Sequence, residues 1–463
     1  MFVNRVSELA LLNSLYHSSK AELFVVSGRQ RVGKTELLSE FCKDKKSIFF
    51  LCDLGSEILL RASLSSIINQ MLFGIDRIHA VFNTWEDVFK ALGKAAEGER
   101  LIVVLDEFPN LVSTHPTILS ILLDLWNQLL QNTNILLILS GSEINMMETI
   151  IHQLQMGMPG NRVNHHFLEP LSFKDARLFF KNYEEQDQIR MYAVFGGTPA
   201  YLNGMDNHSS LKDNILSTIL NRGSFLFDEA RFILQQELRE PRQYFAILRA
   251  ITTGNTRLNE IKQATGIEGA HVYLDALQKL HLIERIIPVT ESQLHKSRRG
   301  LYRIKDHYLR FWFRFVLPHR SLLERGAGEL VMDGHIMPEL DHFSSLAFVE
   351  ICQQYFWDMG IAGRFTFLPQ TIGKWWDNQN EIDLVILGER MAELIECQWS
   401  NQPIGTNHLV DLERKAELVK PGLPDHQIRF GLCSRSGFTR QLVDIAHQRK
   451  DVYLFPLPMI LKD

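Results

Sequence analysis

At 463 residues the chain exceeds what one hydrophobic core supports, and ordinary domain sizes divide it into roughly three units. Its 45% hydrophobic and 22% charged residues are those of a globular protein and exclude a disordered or fibrous one. A formal net charge of -5 excludes a global attraction to nucleic acid, so any such binding has to come from local basic patches. Cys42, Cys52, Cys352, Cys397 and Cys433 are scattered singly without a C-x-x-C pair, which argues against a disulfide framework and a thiolate zinc site and for a reducing compartment. No apolar run approaches the ~20 residues of a membrane helix. The opening residues already contain Arg5 and Glu8, so a soluble cytoplasmic protein is expected.

Along the first 215 residues, short β-rich apolar runs at 23–27, 47–52, 101–105, 135–140 and 166–168 alternate with amphipathic segments, the pattern of a parallel sheet with helical crossovers. Between the first run and a helical stretch at 36–41 lies Gly28-Arg29-Gln30-Arg31-Val32-Gly33-Lys34-Thr35, a match to G-x-x-x-x-G-K-[ST] in the strand-loop-helix setting of a phosphate-binding loop. Backbone N–H groups of such a loop converge on an anion, and the following helix adds its positive end. Lys34 is then placed for the β and γ phosphates and Thr35 for Mg²⁺, while Gly28 and Gly33 leave the phosphates room and Arg31 lies in the same loop. The cofactors this predicts are ATP and Mg²⁺.

The run at 101–105 ends in Asp106 and Glu107. A buried strand delivers Asp106 to the mouth of the sheet to hold Mg²⁺ through water, and Glu107 to orient or activate the attacking water; with Lys34 they are the candidate catalytic residues. The next run ends in Ser140-Gly141-Ser142, placed either to contact the γ phosphate or to shape a turn. Arg162 is either a charge-stabilising arginine or a solvated loop residue.

Over 227–317 the pattern changes to helices broken at Gly254, Gly266 and Gly269, then a strand-turn-strand over 283–304, which reads as a winged helix-turn-helix. Its second helix, 269–280, carries Lys279 as its only lysine or arginine, a thin footprint for DNA. Lys296, Arg298 and Arg299 in the wing are either phosphate contacts or solvated surface. A link at 318–328, rich in Pro, Gly and charge, leads to a third region with its own mixed α/β pattern.

There, 381–386 and 392–399 read as a hairpin around Gly388-Glu389-Arg390. A turn centred between Glu389 and Arg390 places Asp383 opposite Glu396, and side-chain alternation puts Glu396 and Gln398 on one face. Opposed carboxylates with no basic residue between them favour a bridging cation, so Asp383 and Glu396 form a candidate Mg²⁺ site.

Phe2-Val3-Asn4-Arg5, the phosphate loop, Asp106-Glu107-Phe108 and Phe195-Gly196-Gly197-Thr198-Pro199-Ala200-Tyr201 occur in an order that resembles the archaeal-type ATPases of the STAND branch of AAA+ P-loop proteins. The resemblance implies that Arg5 lies by the adenine and that Pro199 belongs to a helical lid over the nucleotide, making both candidate nucleotide contacts. It also implies that the winged helix serves as a lid and interdomain coupling element. The acidic hairpin, with Ala347-Phe348-Val349-Glu350 and Lys374-Trp375-Trp376 before it and Ser434-Arg435-Ser436-Gly437-Phe438 after it, resembles the PD-(D/E)xK nuclease core and adds Glu350 to the candidate site. Gln398 stands where that pattern has a lysine, which positions the attacking water and stabilises the charge developing on phosphate. Lys415, on a helix expected over 409–419, is the candidate substitute, with Lys374 second.

The expected fold is α/β: a P-loop NTPase parallel sheet with a helical lid over 1–215, a winged helix-turn-helix over 216–320, and an α/β restriction-endonuclease-like domain over 321–463. Two readings of function follow. In one, ATP binding and hydrolysis switch a tail that acts on or binds DNA. In the other, a nucleotide-gated scaffold with a degenerate tail engages a protein or nucleic-acid partner, or a second copy of itself. No membrane partner is expected.

Overall fold

The computed structural model describes residues 2–73, 81–158, 160, 163–238, 240–291, 297–419, 423 and 425–462; Arg162 and Lys296 lie outside the described residues. The chain divides into two compact units, Met1–Pro170 and Leu171–Asp463. Among the described residues no helix is long and apolar enough to cross a membrane.

The first unit is built on five parallel strands, β1 (Glu22–Ser27), β2 (Ser47–Leu51), β3 (Leu101–Asp106), β4 (Ile135–Gly141) and β5 (Asn164–Phe167), in the order β2-β3-β4-β1-β5. The central strands are apolar at nearly every position because both faces are covered. Val26, Val104 and Ile138 pack with Leu38 and Phe41 of the helix Lys34–Cys42 on one face. Val25, Val103 and Leu137 pack with Phe89 and Leu122 on the other. This order seats β4 between β1 and β3, so the loop after β1 and the acids ending β3 open at the same edge of the sheet, on either side of Ser140.

The second unit begins with helices that include Glu185–Phe195 and Pro199–Asn203. Between them Gly196 has φ 66, and a Cβ on Gly197 would stand 1.9 Å from the Leu171 carbonyl oxygen, so no side chain fits there. Three helices, Pro241–Thr252, Leu258–Thr265 and Ala270–Lys279, then lead into an antiparallel ribbon of β6 (Ile283–Ile286) and β7 (Leu301–Ile304). The stretch expected as an open link is largely helical: Leu317–Leu323 runs through Pro318, and Gly328–Val331 follows. That helix is continuous with the π-helical turn Trp312–Val316, so Pro318 stands inside a longer helical stretch, directly after a widened turn.

After the long helix Leu340–Ile361 comes a five-stranded mixed sheet, β8 (Thr371–Trp376), β9 (Glu381–Leu387), β10 (Met391–Gln398), β11 (Gln427–Ser434) and β12 (Val452–Pro456), in the order β12-β11-β10-β9-β8. β8, β9 and β10 are antiparallel neighbours, whereas β11 and β12 run parallel to β10. The helix Thr406–Val419 makes the crossover from β10 to β11, packing Leu409, Leu412 and Ala416 against Leu394 and Leu432. The pairs Ala392↔Leu387, Leu394↔Val385 and Ile395↔Leu384 fix the hairpin register, which continued by one step sets Glu396 opposite Asp383.

Candidate functional site

The loop after β1 is shaped by its backbone before any ligand is considered. A Cβ on Gly28 would lie 2.8 Å from the Leu168 carbonyl oxygen, so glycine is required there by the chain itself. Arg31 and Gly33 take left-handed conformations, φ 69 and φ 94, and turn the chain into the helix that begins at Lys34. The Lys34 ammonium is buried inside this loop, donating to the carbonyls of Gly28 at 2.9 Å and Arg29 at 3.1 Å. Arg5 braces the loop: its Nη2 donates to the Val32 carbonyl at 2.9 Å while Nη1 pairs with Glu8 at 3.0 Å. Its polar contacts are thus with the loop backbone and its own helix.

Thr35 Oγ1 donates to Asp106 Oδ2 at 2.6 Å, and Asp106, fully buried, accepts the Glu107 amide on Oδ1 at 3.1 Å. A hydroxyl and a carboxylate held together are hard oxygen donors of the kind Mg²⁺ selects, so the residues present fit that ion. Glu107 has φ 50, a conformation costing a non-glycine residue about 1 kcal/mol. Its carboxylate is gripped by Ser142, through the amide at 3.1 Å and the hydroxyl at 2.7 Å. This grip is what the sequence did not disclose: Ser142, expected either to contact the γ phosphate or to shape a turn, holds the acid that follows β3. The Ser140 hydroxyl is fully buried and has no hydrogen-bond partner among the described residues. Pro199 opens the helix Pro199–Asn203 in the second unit.

The second acidic site lies on the mixed sheet. Asp383 accepts the Cys397 amide at 2.9 Å. Against the expectation of two carboxylates with no base between them, Lys415 Nζ stands 3.3 Å from Glu396 Oε2 and 2.9 Å from Asp411. The crossover helix begins three residues earlier than expected, at Thr406, and delivers this lysine over β10. Burial, and then the Asp383 charge, push Glu396 up to about 7 against the pull of Lys415. Burial also raises Asp383, against its bond from the Cys397 amide. Lys374 pairs instead with Glu381 at 2.7 Å.

Glu350 does not join these acids in its polar contacts. His307 at 2.9 Å, Arg310 at 3.2 Å and Arg303 at 3.9 Å surround its carboxylate. Although burial opposes its charge, these groups hold Glu350 well below the usual carboxylate range. The basic wing is also reduced: Arg298 is exposed, but Arg299 pairs with Glu291 and donates to the Trp376 carbonyl at 3.0 Å.

Glu393, on β10, is buried at 3% exposure, and burial followed by the neighbouring Cys433 pushes it from 4.5 to about 7. Between those values the folded chain keeps a proton that the unfolded chain releases, so this group lowers stability as pH rises from 4.5 to 7. Glu393→Gln is therefore expected to raise unfolding stability at pH 8 by on the order of 2–3 kcal/mol and to leave it unchanged at pH 4, in denaturant titrations followed by tryptophan fluorescence. Equal stability of the two proteins at pH 8 would contradict this.

Sheet order, loop and paired acids define the first unit as a P-loop nucleoside triphosphatase fold. Residues 2–205 match the family described as an ATPase domain predominantly from Archaea, and residues 312–414 match one described as archaeal and bacterial proteins of unknown function. The chain thus carries an archaeal-type ATPase domain followed by a second domain shared with uncharacterised proteins. An uncharacterised protein of Methanocaldococcus jannaschii is 29% identical over 441 residues, 94% of this chain and 96% of the relative. An uncharacterised ATP-binding protein of the same archaeon is 48% identical over 46 residues, 10% of this chain and 78% of the relative. A Walker-type ATPase of Pyrococcus abyssi superposes with a TM-score of 0.52 at 21% identity, covering 68% of this chain and 96% of that one, a likeness of fold.

Proposed function

We propose that the protein is a Mg²⁺-dependent ATPase of STAND type whose nucleotide state is passed through a helical lid and a winged helix to a nuclease-like tail that acts on DNA. The observation that carries the first half is the Thr35–Asp106 contact with Glu107 beside it, made between the helix after the phosphate loop and the end of β3. Bound Mg²⁺ supplies charge neutralisation for the phosphates. Lys34 would exchange its carbonyl partners for phosphate oxygens, Thr35 and Asp106 would hold the ion, and Glu107, steadied by Ser142, would take a proton from the attacking water. Arg5 keeps the loop in shape through Val32.

Support for coupling comes from inside the second unit. The helix Glu185–Phe195, which leads into Gly196 and Pro199, is bonded to the tail: Arg190 Nε meets Asp341 at 2.9 Å, and Arg435 joins Asp341 at 2.9 Å and Gln186 at 3.0 Å. These bonds are the route by which a movement of that helix would reach the end of β11 and the long helix. The three helices and ribbon of 241–304 have the order of a winged helix, and Arg299 ties the wing to β8 and so to the same unit.

The helix-hairpin-strand order of the tail and its opposed acids support the PD-(D/E)xK reading, with Lys415 in the place of the missing lysine. Plasmid DNA incubated with Mg²⁺ or Mn²⁺ is expected to be cut by the wild type, not by Asp383→Ala, and at least tenfold more slowly by Lys415→Ala. The second reading, a scaffold with a non-cutting tail, is favoured by Gln398 itself. Absence of cutting by wild type, with cutting gained in Gln398→Lys, would establish that reading and refute the active one.

A further inference from the structure

Cys352, Cys397 and Cys433, scattered in the sequence, come together in the fold. Cys352 lies on the long helix Leu340–Ile361, Cys397 on β10 and Cys433 on β11, the last two being direct partners in the parallel register. Their sulfur atoms all lie within 4.8 Å of one another, all three residues are buried, and none is in a disulfide. Two thiolates at the Zn–S distance of about 2.3 Å stand roughly 3.8 Å apart in a tetrahedral site, so small side-chain rotations close this trio on one ion.

Alternation along β10 separates this trio from the acidic pair. Glu396 faces Lys415 of the crossover helix, whereas Cys397 faces the long helix that carries Cys352. Glu393, four residues before Cys397 and on the same side of the strand, is 3% exposed, and its Oε1 has no hydrogen-bond partner among the described residues. Arg429, its register partner, donates to the Thr366 hydroxyl. Three thiols beside an unsatisfied buried acid form a pocket rich in soft and anionic donors, which apolar packing alone does not favour.

We propose that Cys352, Cys397 and Cys433 are the ligands of a thiophilic metal ion, Zn²⁺, that clips the long helix to β10 and β11. Binding releases the thiol protons to solvent, with no change of oxidation state. Zn²⁺ suits the site better than Cu⁺ because two positive charges leave less net negative charge buried near Asp383. The clip also acts on the acidic site from behind, since the Cys397 amide is the donor to Asp383.

The test uses the full chain, purified under reducing conditions, stripped by chelator and titrated with Co²⁺ as the probe. Sulfur-to-cobalt charge-transfer absorption is expected, saturating at one ion per chain, displaced by Zn²⁺, and lost in Cys352→Ala and Cys433→Ala with far-ultraviolet circular dichroism retained. Should either variant fail to fold, mass-resolved thiol alkylation of the wild type replaces it: Zn²⁺ is expected to slow labelling of these three cysteines by tenfold or more and to leave Cys42 unaffected. Co²⁺ bound without charge-transfer absorption, which places the ion on oxygen donors, overturns the assignment. So does absence of binding, or of protection by Zn²⁺, in protein whose thiols are shown to be reduced.

Discussion

Replacing Lys34 with alanine is expected to cut ATP turnover by about a thousandfold, the scale on which a charge contact made to the transition state is lost. Lys34 is buried within its loop, and its ammonium donates to the backbone carbonyls of Gly28 at 2.9 Å and Arg29 at 3.1 Å. On the proposed reading the ammonium is held where the phosphates of a bound nucleotide would lie, and no other lysine stands in that loop. The loop keeps its form in the variant, because its turns are set by Arg31, Gly33 and the Gly28 contact rather than by the lysine. The measurement is phosphate release with Mg²⁺ and ATP, with thermal unfolding as the check on folding. Turnover within a few fold of wild type in a folded Lys34→Ala protein would remove the nucleotide assignment.

Glu107→Gln is expected to lower turnover by about a thousandfold while ATP binding persists, because it removes a proton acceptor and little else. The amide oxygen of glutamine still accepts from the Ser142 backbone, so the left-handed residue and its grip survive the change. Metal binding is untouched, since Asp106 and Thr35 are the residues that face each other at 2.6 Å. Equilibrium binding of a fluorescent ATP analogue together with phosphate release separates the two effects. A parallel loss of binding and turnover would assign Glu107 a structural role instead.

What was legible in the chain follows from how local each feature is. The phosphate loop occupies eight consecutive residues between a strand and a helix, and the fold keeps that order. Asp106 and Glu107 end a short continuous apolar run, which marks a strand buried on both faces. The opposed pair Asp383 and Glu396 depends only on where one turn is centred, and the register pairs carry that placement. Features made by distant residues were not legible. Glu350 looked like a partner of the acidic hairpin, but the cations that claim it come from β7 and the helix beginning at His307. Lys415 is expected from the sequence as a substitute, but its 3.3 Å approach to Glu396 is set by the packing of the crossover helix on the sheet, which the residue pattern does not give. The grip of Ser142 on Glu107 joins the ends of two neighbouring strands, and the three thiols join a helix to two strands. Separation in sequence hid both, and for the cysteines it suggested the opposite conclusion. Pro318 marks a break by composition, yet the chain stays helical through it, just after the π-helical turn Trp312–Val316.

The central claim is that nucleotide held by the phosphate loop is sensed by the tail. Hydrogen exchange over β9 and β10 in the full chain, with Mg²⁺ and a non-hydrolysable ATP analogue or without nucleotide, tests it directly. Exchange there is expected to change with nucleotide in the wild type, and to lose that response in Lys34→Ala and in Asp341→Ala, which cuts the bonds to Arg190 and Arg435. Identical exchange with and without nucleotide in a wild-type protein shown to bind the analogue would contradict the account.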